Sequence, residues 1–181
     1  MKITLVRHGE VIERYRSKYN GHIDIALSPQ GKAQAKELAN KLQNRSFDAI
    51  YSSDLLRAKQ TLEAFTYKIK PIYSEKLREK SWGKHEGKSF AEIEAEGIKY
   101  QNFQQWIEAL DGEDVALFRA RIKNYFNEII TENSDSNILV ITHSGVIKTL
   151  LSLHKNCSLE EAFFINLPYA SFIELELSFM E

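Results

Sequence analysis

Asn137-Ile138-Leu139-Val140-Ile141-Thr142-His143-Ser144-Gly145 is the stretch that decides the fold. Its first six residues are almost all apolar or β-branched, the composition of a buried strand. The run stops at His143, and a helical pattern follows from Val146 to Leu153. A buried strand feeding a helix is the repeating unit of a parallel sheet.

The same unit recurs upstream. Ile3-Thr4-Leu5-Val6 is a short apolar strand that breaks into polar Arg7-His8-Gly9-Glu10. Ser28-Pro29 opens a helix, with serine as N-cap and proline in the first turn; Ala35, Leu38, Ala39 and Leu42 follow at helical spacing, and the helix is expected to end near Asn44. Phe47 to Tyr51 reads as the next strand, and Ser52-Ser53-Asp54 offers caps for a helix from Leu55 to about Phe65. Pro71-Ile72-Tyr73 is a weak third strand, followed by a polar loop through Gly83 and Gly87. Ser89 to about Leu110 is helical but broken at Gly97 and Asp111-Gly112. A longer amphipathic helix covers Asp114 to Thr131, with Leu117, Phe118, Ile122, Tyr125, Phe126 and Ile129 on one face. Alternation from Phe172 to Leu177 closes the chain as a strand. This βα repetition predicts an α/β fold, a three-layer α/β/α sandwich with a mostly parallel sheet, over residues 1–181 as one domain.

Bulk properties narrow the partners. With 24 Lys+Arg against 25 Asp+Glu the net charge is -1, so no global basic field points to nucleic acid or a membrane surface, and any anion site must be local. The apolar run at the start is too short for a secretory core, and no stretch reaches transmembrane length, so the cytoplasm is the expected location. Cys157 is alone, which fits a reducing compartment and a structural thiol.

In open α/β sheets, ligands collect at the carboxyl ends of the strands. Three such ends carry chemistry: Arg7-His8-Gly9, Ser52-Ser53 with Arg57 one turn into the next helix, and His143-Ser144-Gly145. Arginine forks match phosphate oxygens, and a neutral imidazole attacks phosphorus when its other nitrogen is held by a hydrogen bond. His8 is the expected nucleophile, Arg7 and Arg57 the phosphate holders, and His143 a donor kept charged by the phosphate dianion. Backbone N–H groups around Ser144 add to them. His22, His85 and His154 share no metal-ligand spacing with His8 or His143 and read as surface or rim residues, so no metal and no cofactor is expected. Trp82 and Trp106 suit either pocket walls or packing, and Glu92, Glu94 and Glu96 read as a solvated helix face.

Five ordered blocks carry a family resemblance over nearly the whole chain: Leu5 to Glu10, Asn20 to Asp24 running through Leu27 to Ala35, Tyr51 to Thr61, Leu77-Arg78-Glu79 with Gly83 and Glu86-Gly87, and Val140 to Gly145. Together they resemble the histidine phosphatase, or phosphoglycerate-mutase-like, superfamily. The resemblance implies the sandwich fold, a phosphohistidine on His8, a pocket of Arg7, Arg57 and His143, and Glu79 as proton donor to the leaving group. Asn20, Gly21, Trp82 and Ser144 are the expected substrate contacts. Val11 replaces a hydroxyl residue of many relatives, and Arg14 a phosphate-contacting asparagine of mutase-like members. Tyr19-Asn20-Gly21-His22, Gly112-Glu113-Asp114 and the strand after Pro168 are most similar to the α-ribazole phosphatase branch.

The expected partner is therefore a small-molecule phosphate ester, with α-ribazole 5'-phosphate first and a broad metabolite range second. A phosphoglycerate mutase is disfavoured by the short segment between Arg57 and the acid block, and a phosphohistidine phosphatase by the Leu77 to Gly87 segment. A phospho-ligand binding module is the non-enzymatic alternative, against which intact His8 and Glu79 speak. The oligomeric state is left open between a monomer and a homodimer.

Overall fold

The computed structural model describes residues 1–180. Five strands form one sheet in the order β3-β2-β4-β1-β5: β1 is Lys2–Arg7, β2 Ala49–Ser53, β3 Ile72–Ser74, β4 Asn137–Thr142 and β5 Phe172–Glu176. The first four are parallel. Only β5 runs antiparallel, paired with β1 at the edge, where its alternation leaves one side wet.

Side-chain alternation divides the core into two layers. Leu38 and Leu42 of α1 (Pro29–Leu42), with Ala58 and Leu62 of α2 (Leu56–Leu62), cover Val6, Ile50, Leu139 and Ile141 on one face. Phe118, Ile122, Phe126 and Ile129 of α5 (Val115–Glu132), with Val146, Ile147 and Leu150 of α6 (Ser144–Lys155), cover Ile3, Leu5, Ile138 and Val140 on the other. Successive residues of β1 and β4 thus serve opposite faces, as a pleated strand requires. The three-layer sandwich is the expected one.

Caps account for several boundaries. Ser28 accepts from the Gly31 N–H at 2.9 Å, and Asp114 accepts from Ala116 and Leu117. The broken stretch resolves into α3 (Phe90–Glu94), capped by Ser89 and Glu92, and α4 (Phe103–Ala109). Trp82, Ile93, Trp106, Ile107 and Leu110 form a smaller core under this segment, beside the carboxyl edge of the sheet.

Some expectations need correction. The second strand lies two residues later than read, so Ser52 and Ser53 are fully buried within it and do not cap α2; Leu55 takes that position, and Asp54 instead pairs with Arg78. Leu117 is 66% exposed, because it follows the cap on the outer side of α5. His85 is buried, not on the surface: Nδ1 accepts from the Asp111 N–H at 3.0 Å and Nε2 lies 3.3 Å from Glu96. A further helix, α7 (Leu159–Phe163), is capped by a reciprocal Ser158 and Glu161 pair. No helix among the described residues is long and apolar enough to cross a membrane.

Candidate active site

β4 lies between β1 and β2, and the register sets Arg7 opposite Thr142 and Ser52 opposite Ile141, so the residues following all three strands emerge at one edge. There Arg7, His8, Glu79, Trp82, Ser144 and Tyr169, with Val11 and the Lys18–Asn20 segment, line a cleft of about 180 Å³.

His8 is buried at its base. Nδ1 donates to the Gly9 carbonyl at 2.7 Å, which leaves the lone pair on Nε2. The loop backbone is tied down by Gly9 N–H to Thr61 Oγ1 at 3.0 Å and His8 N–H to the Thr142 carbonyl at 3.1 Å. Burial, followed by the fields of Arg57 and Arg7, holds the His8 pKa well below its ordinary value, so the ring is neutral at pH 7. A fixed, neutral imidazole with one free lone pair can act as a nucleophile.

The Arg7 guanidinium packs 4.0 Å from the centroid of Tyr169 and donates to the Leu167 carbonyl, while its buried Nε has no protein acceptor. A donor so placed can serve an anion's oxygen. Arg57, 1% exposed, is differently employed. Nε donates to His143 Nδ1 at 3.2 Å, and the terminal nitrogens donate to the carbonyls of Asn20, Gly21 and Ile23, which leaves one N–H over. Burial lowers its pKa to about 10, so it stays charged.

The His143 ring stands 5.1 Å from that of His8. With Nδ1 accepting from Arg57, Nε2 carries the proton and donates to Ser53 Oγ at 2.8 Å. Burial, then Arg57 and His8, push its pKa well down. This geometry is that of a neutral ring; the charge expected from the sequence is one that a phosphate dianion beside the ring would induce.

Glu79 sits across the cleft. Its carboxylate accepts from the Gly145 N–H at 2.8 Å, at the N-terminus of α6, and from its neighbour Lys80 at 3.0 Å. Any side chain at Gly145 would collide with this carboxylate, so the close approach of Glu79 requires glycine there. One backbone donor near Ser144 is thereby already occupied.

The expected substrate contacts divide. Trp82 and Ser144 line the cleft, and so does Asn20, whose Oδ1 is buried without a partner. Gly21 does not: its N–H goes to Glu86 at 2.8 Å and its carbonyl to Arg57, so it belongs to the scaffold. Trp106 packs among Tyr19, Phe90 and Tyr100. Val11 lines the cleft, while Arg14 lies outside it against Tyr15. Glu92, Glu94 and Glu96 are exposed as expected, but each has a partner, in Lys18, Tyr100 and Lys88 respectively.

The comparisons with known proteins decide the family. Residues 3–179 match the model of the histidine phosphatase superfamily, branch 1. The chain belongs to that superfamily. It is 26% identical to a putative phosphoserine phosphatase of Hydrogenobacter thermophilus, over 97% of this chain and 89% of the relative. It is 27% identical to the adenosylcobalamin/alpha-ribazole phosphatase of Escherichia coli, over 84% and 78%. The solved structure of Bacillus stearothermophilus YhfR superposes with a TM-score of 0.86 at 29% identity, covering 98% of this chain and 91% of that one. This histidine phosphatase is accordingly a phosphatase with the phosphoglycerate-mutase-like fold.

Three further residues of this histidine phosphatase shape the site without having stood out in the sequence. Tyr169 packs on Arg7. Arg121 of α5, paired bidentately with Glu113, donates to the carbonyls of Lys76, Arg78 and Glu79, and so fixes the segment carrying Glu79. Glu86, part of a motif block in the sequence and a carboxylate to test after Glu79, accepts from the N–H groups of Gly21, His22, Ile23 and Trp82.

Proposed function

We propose that this phosphatase hydrolyses small-molecule phosphomonoesters through a phosphohistidine on His8. One observation carries the reading: His8 Nδ1 is held by the Gly9 carbonyl, so the free Nε2 lone pair shares a cleft with Arg7 and Glu79. In the first step Nε2 attacks phosphorus, the ester P–O bond breaks, and the alcohol leaves with a proton from Glu79. In the second step water attacks the phosphohistidine and gives its proton to Glu79. The P–N bond breaks, releasing inorganic phosphate and restoring His8.

Arg7 holds the phosphoryl oxygens through Nε. Arg57 and His143 complete the pocket, Arg57 through its remaining N–H; a proton that an arriving phosphate dianion draws onto His143 Nδ1 displaces the bond this nitrogen accepts from Arg57 and makes both ring nitrogens donors. Two arginines supply fixed positive charge where other phosphoryl-transfer enzymes use Mg²⁺, so the chemistry is metal-independent.

Among substrates, α-ribazole 5'-phosphate comes first, supported by the E. coli relative and by Tyr19, Trp82 and Tyr169, which offer aromatic faces in the cleft. A broad metabolite range is the second reading, favoured by a cleft whose rim residues Lys18, Tyr19 and Asn20 are only partly buried.

The test is trapping with labelled substrate, quenched in alkaline denaturant. Base-stable, acid-labile phosphate is expected on His8, and His8→Ala is expected to lose both the label and turnover. Label on another residue overturns the mechanism, and tight phosphate binding without turnover supports a binding module instead.

A further inference from the structure

The cleft above His8 does not end at Glu79. Glu79, Trp82 and Ser144 also border a second cavity of about 110 Å³. Its other walls are mostly hydrocarbon, from Ile107, Val115, Phe118, Leu159 and Phe163. Ile107, Val115 and Leu159 in turn border a third, outer cavity of about 290 Å³ between α4 and the start of α7. A track of shared residues thus leads from the acid outward between α4, α5 and α7.

In-line attack by His8 sets the leaving oxygen on the far side of phosphorus, where a general acid must stand. If Glu79 is that acid, as proposed above, the body of the alcohol extends into the cavity bordering Glu79. The chemistry of this cavity then selects the alcohol.

Charge narrows the choice further. A carboxylate close to the phosphate, as in phosphoserine or phosphoglycerate, needs a second cation with donors to offer. Lys18 pairs with Glu92 at 2.7 Å, and Lys148 donates to the Phe163 carbonyl at 2.9 Å. Lys80 directs Nζ to the carbonyls of Ser81 and Asp111 and lies 4.4 Å over the Trp82 ring. Each of these lysines already has a partner, and Arg119, which donates to Ser152 Oγ at 3.0 Å, stands only at the outer cavity; the walls next to the acid are hydrocarbon, so an apolar body fits there better than an anionic one.

We propose that the enzyme selects phosphomonoesters whose leaving alcohol carries an apolar aryl or alkyl body, seated beyond Glu79 between Trp82, Ile107 and Phe163. The proposal rests on the phosphatase reading above. Burying each added methylene is worth a factor of roughly two to four in kcat/KM.

The experiment measures kcat/KM for ethyl, butyl, hexyl and octyl phosphate, with phosphoserine and 3-phosphoglycerate alongside. The expected result is a rise by that factor per methylene until the track is filled, with both carboxylated esters below hexyl phosphate. In Val115→Glu, a change compatible with the first turn of α5, the hexyl-to-ethyl ratio is expected to fall at least tenfold. A flat chain-length series, or phosphoserine or 3-phosphoglycerate as the best substrate, overturns the apolar assignment and leaves the phosphatase reading standing. Failure of the folded protein to turn over any ester overturns the phosphatase reading itself. The wild-type series decides the matter even if Val115→Glu does not fold.

Discussion

Arg57 and Glu86 grip the same short loop by opposite polarities: the guanidinium takes the carbonyls of Asn20, Gly21 and Ile23, and the carboxylate takes the N–H groups of Gly21, His22 and Ile23. A loop without regular structure has backbone groups to satisfy, and here two ionised side chains do it. The same Arg57 donates to His143, so loop position and imidazole orientation are coupled.

Glu86→Gln tests that coupling. An amide presents its NH₂ to donors that the carboxylate accepted, so stability is expected to fall by about 1–3 kcal/mol in urea unfolding. KM for aryl and alkyl phosphates is expected to rise together, as Asn20 and Arg57 shift, with no change in leaving-group dependence. A selective loss on alkyl phosphates would instead make Glu86 the acid.

The strand ends that carry the site were legible because apolar runs stop abruptly at Arg7 and His143, and the pattern of buried strands gave the parallel sheet. The offset of β2 was not, since Ser52 and Ser53 look like loop residues. They tolerate burial because Ser52 Oγ donates to the Ser53 carbonyl and Ser53 Oγ accepts from His143, a partner 90 residues away. His85 likewise owes its burial to Asp111, 26 residues away. The Ser158 and Glu161 capping box stands in the sequence, but the five residues of α7 are too few to show a helical period.

Stability is expected to fall on acidification. His8 and His143 have native pKa values pushed below their ordinary value of about 6.5, so the unfolded chain binds protons that the native one refuses. Their contribution is present above about pH 6.5 and lost as pH falls below it, by up to about 1.4 kcal/mol per pH unit for each ring. Urea unfolding at pH 7.5 and 5.5 should show this, with a smaller drop in His8→Asn. An unchanged drop in the variant would refute the assignment to His8.

Tyr169 backs Arg7 through its ring, 4.0 Å from the guanidinium carbon. Tyr169→Phe keeps that face and is expected to leave KM within about twofold, whereas Tyr169→Ala is expected to raise it by roughly 2–30-fold, the range of one cation–π contact. Equal effects of the two substitutions would place the hydroxyl, not the ring, in control of Arg7.

Glu79 separates chemistry from binding. Its carboxylate is positioned by the Gly145 and Lys80 N–H groups; the amide oxygen of Glu79→Gln can retain the bond from Gly145 while that from Lys80 is lost, so the substitution removes the transferable proton and keeps one of the two anchors. Alkyl alcohols leave poorly without protonation, while nitrophenolate departs as the anion. The rate on an alkyl phosphate is therefore expected to fall by about 10²–10⁴-fold and that on nitrophenyl phosphate by much less. Inhibition by inorganic phosphate should change little, because Arg7, Arg57 and His143 are the proposed holders of the phosphate. Comparing single-turnover rates on both esters isolates the first P–O cleavage from hydrolysis of the phosphohistidine, for which Glu79 is also the proposed base. Equal losses on the two esters would assign Glu79 to positioning the α6 N-terminus and leave the leaving-group proton to another residue.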